Sequence, residues 1–280
     1  MIINEKIKEY LQDYKLKKAI IKYYKDSLDD EIKDIISFLS SHRVGYYNYP
    51  WFKPDYSSVK IELMNNRPYV LYKKKKVFFP ISWDVKRIVD YWSFLIAEQN
   101  EKSPHNYGLN NINIQPGECI IDAGGAEGLF TISLIDKISK AYIVECDAEW
   151  IEALKMTFKD YKHKVVIVSK FLSNSSCDDK IAIDDLVNID DCISLIKMDI
   201  EGAEIEALVG GCNVLERDTP KLLLCAYHYQ NEEEDLYNFL KEKGYSVKTN
   251  PGYILFKHDP KLAAPYLRRG LVVAERCKNE

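Results

Sequence analysis

Cys119-Ile120-Ile121-Asp122-Ala123-Gly124-Gly125-Ala126-Glu127-Gly128-Leu129-Phe130 is the stretch on which the fold turns. An apolar run ends in an acid, passes through a glycine-rich turn and enters a helical pattern at Leu129 and Phe130. A short, unbroken apolar run of this kind reads as a strand covered on both faces. Glycine in the turn lets the backbone approach a ligand where a Cβ would clash. The turn sits at the carboxyl end of its strand, where open α/β sheets bind their ligands.

Two ligand classes use this geometry. A dinucleotide rests its pyrophosphate on the helix N-terminus and prefers G-x-G-x-x-G. Here Ala126 stands two residues after Gly124, so that spacing fails. The pattern is instead Asp122-x-Gly124-x-x-x-Gly128, with Glu127 near the helix start. Two carboxylates would repel a pyrophosphate and suit a cationic ligand. S-adenosylmethionine, with its ammonium and sulfonium, is such a ligand, and the stretch resembles the first motif of the class I methyltransferases that use it. Glu145 closes the next apolar run, Tyr142-Ile143-Val144-Glu145, where an acid can accept hydrogen bonds from ribose hydroxyls. NAD enzymes place an acid similarly, so Glu145 does not separate the two classes.

Outward from this stretch, strand-like runs recur at 118–122, 141–146, 164–169, 194–200 and 221–228, with helical stretches between most of them. Trp150, Ile151, Leu154 and Phe158 mark one helix; Leu236, Phe239 and Leu240 mark another, closed by Gly244. The alternation reads as βαβ units in a parallel sheet. Runs at 245–248, 253–257 and 270–276 lack long helices between them and predict an antiparallel ending. The expected fold is therefore α/β: a Rossmann-like, mostly parallel seven-stranded sheet with helices on both faces and an antiparallel final strand.

The part before it has another rhythm. Ile7, Tyr10, Leu11 and Tyr14, and again Ile32, Ile35, Ile36 and Leu39, sit at helical spacing. Residues 45–54 break the pattern with two prolines and five aromatics; they read as a packing plug, with stacking on sugar rings as the second reading. The runs 69–72 and 77–79 flank Lys73–Lys76 as a hairpin with a solvated turn. A third helix is predicted over 84–99. Residues 1–112 carry 19 Lys and Arg against 14 Asp and Glu, and residues 113–280 carry 20 against 29. This shift places a domain boundary near residue 112, between a helical and hairpin accessory region (1–112) and the sheet domain (113–280).

Composition excludes several classes. No apolar run approaches the roughly 20 residues of a membrane helix, and residues 1–10 lack the apolar core of a signal peptide. A cytoplasmic chain is expected. The basic balance of the first part is too small for a nucleic-acid partner. The seven cysteines, Cys119, Cys146, Cys177, Cys192, Cys212, Cys225 and Cys277, form no paired spacing and read as free thiols.

A second stretch, Ile196-Lys197-Met198-Asp199-Ile200-Glu201-Gly202-Ala203-Glu204, ends another strand and starts a helix. Asp199 and Glu201 fall at the carboxyl edge beside the crevice, and an acid pair closing an apolar strand is costly without a partner. Glu204 reads as a first-turn acid favoured by the helix dipole. Together with Gly210, with Ile183-Asp184-Asp185-Leu186, and with Glu98-Gln99 and Ser103-Pro104-His105-x-Tyr107 upstream, this stretch resembles the signature of the FkbM-type methyltransferases. The resemblance covers roughly residues 67–258.

The resemblance implies methyl transfer from S-adenosylmethionine, usually to a hydroxyl oxygen of a small molecule or glycan. By position it puts Gly124, Gly128, Glu145 and Asp199 in the cofactor pocket, with Asp122 lining the floor. It puts Lys170 and Phe171 beside adenine, and Gln99, Ser103 and His105 across the N-terminal side. Gly125, where many methyltransferases carry a larger residue, is expected to loosen the turn.

Methylating a hydroxyl calls for alignment and for a base. His228, at the end of the 221–228 run, His105, Asp199 and Glu201 are the candidates; His228, Asp199 and Glu201 form the expected catalytic set. A metal-assisted variant would draw on Asp199, Glu201 and His228 as mixed O/N ligands, but the adopted reading uses no metal. The rival readings are an NAD(P)-dependent oxidoreductase and a non-catalytic binding scaffold on the same fold.

Overall fold

A computed structural model describes residues 2–109 and 112–276. Cys277 lies outside the described residues. The chain opens with α1 (Ile2–Tyr24) and α2 (Asp30–Ser41). The Asp29 side chain caps α2 by accepting from the N–H groups of Glu31 and Ile32. An antiparallel three-stranded sheet follows: β1 (Ile61–Met64), β2 (Arg67–Tyr72) and β3 (Lys75–Phe78). Lys73 and Lys74 form its β2–β3 turn, both with positive φ. Helix α3 (Val85–Glu98) is capped by Asp84.

The main sheet is built from β4 (Cys119–Ala123), β5 (Lys140–Val144), β6 (Val165–Val168), and then, after a short β7–β8 ribbon (Phe171–Leu172, Lys180–Ile181), from β9 (Ile193–Met198), β10 (Lys221–Cys225), β11 (Ser246–Thr249) and β12 (Leu271–Glu275). Its spatial order is β11-β12-β10-β9-β4-β5-β6. The pairs from β10 to β6 are parallel, and β12 runs antiparallel to both its neighbours. This is the expected mostly parallel seven-stranded sheet with an antiparallel last strand. Helices α4 (Leu129–Leu134), α5 (Ala148–Thr157), α6 (Ile183–Leu186), α7 (Glu204–Val209), α8 (Cys212–Asp218) and α9 (Glu232–Glu242) connect the strands.

Successive strand residues point to opposite faces, and the core divides accordingly. Ile120, Ile143, Leu195 and Leu223 join Phe130, Ile132 and Leu154 on one face. Ile121, Tyr142, Ile196 and Leu224 join Leu208, Leu215, Leu236 and Leu240 on the other. Ile120 and Ile121 are both fully buried, so truncating either to alanine should cost about 2–5 kcal/mol.

The division near residue 112 separates composition but not cores. Val70, Val77, Phe79, Ile88 and Trp92, from the hairpin and α3, belong to the same cluster as Ile120 and Ile143. A third cluster joins Ile20, Ile35, Leu39, Tyr47 and Tyr49 to Ile254, Leu255 and Leu267 near the C-terminus. The aromatic stretch expected as a plug is packed in that way, with Tyr47 and Tyr49 buried. The strand expected at 253–257 reduces to a single bridge between Ile254 and Arg268. Strand β1 was missed because two of its four side chains are exposed and Ile61-Glu62-Leu63-Met64 shows no apolar alternation. Among the described residues, no helix is long and apolar enough to cross a membrane.

Candidate functional site

The glycine turn after β4 is shaped from below by a buried ion pair. Asp122 is fully buried; the Lys197 ammonium lies 3.1 Å from its Oδ1, and the Thr131 hydroxyl donates to its Oδ2 at 2.7 Å. Lys197 also donates to the carbonyls of Ala123 (3.1 Å) and Gly124 (2.6 Å). Burial works against the Lys197 charge, but Asp122 and Asp199 outweigh it and raise its pKa above the ordinary value. Asp122 therefore holds the turn and does not line a cofactor pocket as expected, because both its oxygens are committed beneath the backbone.

Each glycine of the turn has a separate reason. A Cβ on Gly124 would lie 1.9 Å from the Asp199 carbonyl oxygen, where the β4 and β9 ends converge. A Cβ on Gly125 would meet Ile143 Cγ2 at 2.3 Å, so glycine there tightens the packing of the turn on β5 and does not loosen it. Gly128 was expected in the cofactor pocket. It faces away from it, and a Cβ there would lie 2.7 Å from the Phe158 ring, so it lets α4 start against the end of α5.

Two adjoining cavities open at the carboxyl edge of the sheet. The larger, about 430 Å³, is lined by Val144, Glu145, Trp150, Lys170, Phe171, Ile200 and Glu201. The smaller, about 100 Å³, is lined by Glu98, Gln99, His105, Tyr107, Glu127 and Lys197. Tyr91, Gly124, Ala126 and Asp199 line both. Glu145 accepts from the N–H groups of Ala126 (2.8 Å), Cys146 (2.8 Å) and Asp147 (2.9 Å), which fixes its carboxylate at the end of β5. Glu127 accepts from the Tyr91 hydroxyl at 2.5 Å; burial raises its pKa against that bond.

Asp199 stands where the cavities meet. Its Oδ2 accepts from Tyr107 Oη (3.1 Å) and lies 3.4 Å from His105 Nε2; its Oδ1 accepts from Tyr227 Oη (3.2 Å) and lies 3.2 Å from His228 Nε2. Burial would raise the Asp199 pKa, but His105 and His228 outweigh it and hold the carboxyl well below its usual range. The line extends both ways. His105 Nδ1 lies 3.0 Å from Glu98 Oε1, which accepts from the Tyr47 hydroxyl at 2.5 Å. His228 Nδ1 faces two buried carboxylates, Glu232 at 3.4 Å and Glu204 at 3.7 Å. Burial opposes a charge on His228, but Asp199 and Glu232 outweigh it and lift its pKa to about 10. Burial pushes Glu204 to about 8.

The remaining expected residues divide. Lys170 and Phe171 stand on the wall of the larger cavity, and Gln99 and His105 on that of the smaller. Ser103 does not reach either one. It is buried in the 100–107 loop, where its hydroxyl accepts from the His105 N–H at 3.2 Å, so it orders the loop that carries His105. Glu201 stands at the cavity mouth, 83% exposed, with a positive φ of 59°. Glu204 begins α7 as expected, yet it is fully buried and turned toward His228. Sequence reasoning missed the roles of Glu98, Lys197 and Glu232. A lysine inside an apolar strand was the available sign for Lys197.

The mostly parallel sheet and the crevice at its carboxyl edge are those of a Rossmann-like methyltransferase fold. Residues 158–247 match the family model of the Methyltransferase FkbM domain. No curated protein matches the sequence. Among solved structures, the methyltransferase FkbM from Methylobacillus flagellatus KT is similar with a TM-score of 0.50 and 20% identity, over 67% of this chain and 52% of that one. The chain thus spans about half the length of that relative. Precorrin-6y C5,15-methyltransferase from Geobacter metallireducens GS-15 has a TM-score of 0.43 at 14% identity, over 60% of this chain and 86% of that one. An rRNA methylase from Streptococcus thermophilus has 0.40 at 14% identity, over 59% and 90%.

Proposed function

We propose that the chain methylates a hydroxyl oxygen of a small-molecule or glycan acceptor, a sugar hydroxyl foremost, with S-adenosylmethionine as methyl donor. The observation that carries this reading is the paired cavity at the carboxyl edge, with Glu145 on the wall of its larger part and Asp199 where the two parts meet. A volume of about 430 Å³ falls in the range of small-molecule sites, and the acids around it suit a cationic ligand.

In this reading Glu145 accepts from the ribose hydroxyls, Lys170 and Phe171 flank the adenine, and the smaller cavity beside Asp199 takes the amino-acid end. Bound there, S-adenosylmethionine would supply an electrophilic methyl on a sulfonium. The protein's own contribution is position and proton handling. Asp199 accepts from Tyr107 and Tyr227, lies beside His105 and His228, and so keeps its place. Glu201, exposed at the mouth, takes the acceptor's proton and passes it to water. His228 is nine-tenths buried with carboxylates at both ring nitrogens, so it acts as a positioning residue for Asp199 rather than as the base.

The test is a screen of sugars, glycans and nucleic acids with radiolabelled S-adenosylmethionine. Label on a sugar hydroxyl supports the reading. Label appearing only on RNA, its ribose hydroxyls included, or on nitrogen or carbon, contradicts it. Glu201→Gln should lower turnover about 10²-fold or more with little change in cofactor affinity.

A further inference from the structure

Behind His228, away from the two cavities, Glu204, His228 and Glu232 each present one ligand atom within 4.8 Å of the others. Glu204 and Glu232 are fully buried, and His228 is 7% exposed. His228 Nδ1, Glu204 Oε2 and Glu232 Oε1 are buried polar atoms with no hydrogen-bond partner. One imidazole between two carboxylates, shut away from water, leaves these atoms unpartnered, which is costly unless protons, or an ion in their place, join them.

We propose that Glu204, His228 and Glu232 form a binding site for one divalent transition-metal ion, zinc first among them. The spacing fits: Nδ1 stands 3.4 Å from Glu232 Oε2 and 3.7 Å from Glu204 Oε1, and the unpartnered Glu232 Oε1 and Glu204 Oε2 are the second oxygens of the same carboxylates. Ligand atoms about 2.0–2.2 Å from a tetrahedral zinc would lie roughly 3.4 Å apart. One imidazole and two carboxylates are a familiar donor set for such an ion.

The surroundings are those of a supported metal site. His228 Nε2 lies 3.2 Å from Asp199 Oδ1, close but not aligned as a hydrogen bond, while Nδ1 faces the proposed ion site. The backbone N–H of Ile200 donates to Glu204 Oε1 at 2.9 Å, and that of His228 donates to Glu232 Oε2 at 2.6 Å. Both carboxylates are thereby oriented from outside. The turn over the cluster bends through positive φ at Glu201 (59°) and Gly202 (93°), and a Cβ on Gly202 would stand 3.8 Å from Glu232 Oε1. The burial of Glu204, unexpected for a first-turn acid, then has a cause. The ion would hold the turn after β9 to the start of α9 and fix the ring that positions Asp199. The proposal does not depend on what the enzyme methylates.

The test measures metal in the whole chain. The purified protein is stripped with a chelator and titrated calorimetrically with ZnCl₂, MnCl₂ and MgCl₂. One zinc or manganese ion per chain is expected, with a rise in melting temperature. Glu232→Gln should weaken binding at least tenfold. X-ray absorption of the zinc-loaded native chain should show only N and O neighbours, a readout that needs no variant. No stoichiometric binding by the native chain would overturn the proposal and leave a shared proton between the carboxylates. So would sulfur neighbours, or unchanged affinity in a folded Glu232→Gln protein, since the ion would then sit on thiols or elsewhere.

Discussion

The Lys197 ammonium lies 3.1 Å from the Asp122 carboxylate, sealed beneath the turn that joins β4 to α4. One is 4% exposed and the other 0%. Such a pair need not stabilise the fold relative to apolar residues, but removing one partner strands the other's charge. Lys197→Met should therefore cost about 3–5 kcal/mol in urea unfolding. The double variant Asp122→Asn/Lys197→Met should cost less than the sum of its singles. Strict additivity would show that the two groups are not coupled.

The turn itself makes a second test. Gly117 and Gly124 both have positive φ, but a Cβ on Gly117 meets nothing within 4 Å, whereas one on Gly124 meets backbone at 1.9 Å. Gly117→Ala should cost roughly 1–2 kcal/mol, the left-handed penalty alone. Gly124→Ala should cost at least twice that and separate the ends of β4 and β9. Equal costs in urea unfolding would show that Gly124 is needed only for its φ.

Thiol reactivity follows burial. Cys146, Cys177 and Cys192 are exposed, while Cys119 and Cys225 are buried. Burial pushes both buried thiols up to about 12. Only thiolates react, so peptide mapping after maleimide treatment of the native protein at neutral pH should find the first three labelled. Cys119 and Cys225 should label only after unfolding. Rapid labelling of Cys225 in the native protein would place it outside the core.

Asp191 gives a pH dependence. Burial would raise its pKa, but hydrogen bonds from Lys140 (2.6 Å) and Tyr142 outweigh it and hold the carboxyl below its ordinary value. A depressed carboxyl contributes stability above its unfolded pKa, about 3.9, and loses it as pH falls through the folded value. Asp191→Asn should thus lower stability at pH 7 by on the order of 1 kcal/mol, the partial exposure of the pair limiting the effect. The deficit should shrink toward zero near pH 2. A deficit that is constant with pH would assign the loss to packing.

Much of the sheet was legible because its strands are short apolar runs with helices between them. Ile120 and Ile121, buried on opposite faces, leave that mark directly. Glu145, Lys170, Phe171 and Asp199 were legible as crevice residues because each follows a strand of the parallel set, where the fold must place a ligand. What was not legible depends on which way a side chain turns and on partners that only the fold brings together. Asp122 looked like a pocket floor until Lys197 was found beneath it. Gly128 and Ser103 kept their places in the motifs but turned out to serve packing and loop order. Glu232 starts a helix with three further acids behind it and gave no sign of turning inward to His228, four residues before it, beside Glu204. The compositional boundary near 112 hid a shared core, because charge reports on the surface while Val77, Ile88 and Ile120 meet inside.

The central claim is tested most directly by calorimetric titration of the native chain with S-adenosylmethionine, S-adenosylhomocysteine and NADH, repeated with Glu145→Ala. The expected result is one site for each adenosyl ligand, no NADH binding, and at least tenfold weaker binding in a folded Glu145→Ala protein. NADH binding without affinity for S-adenosylmethionine would contradict the account, and so would adenosyl binding indifferent to Glu145.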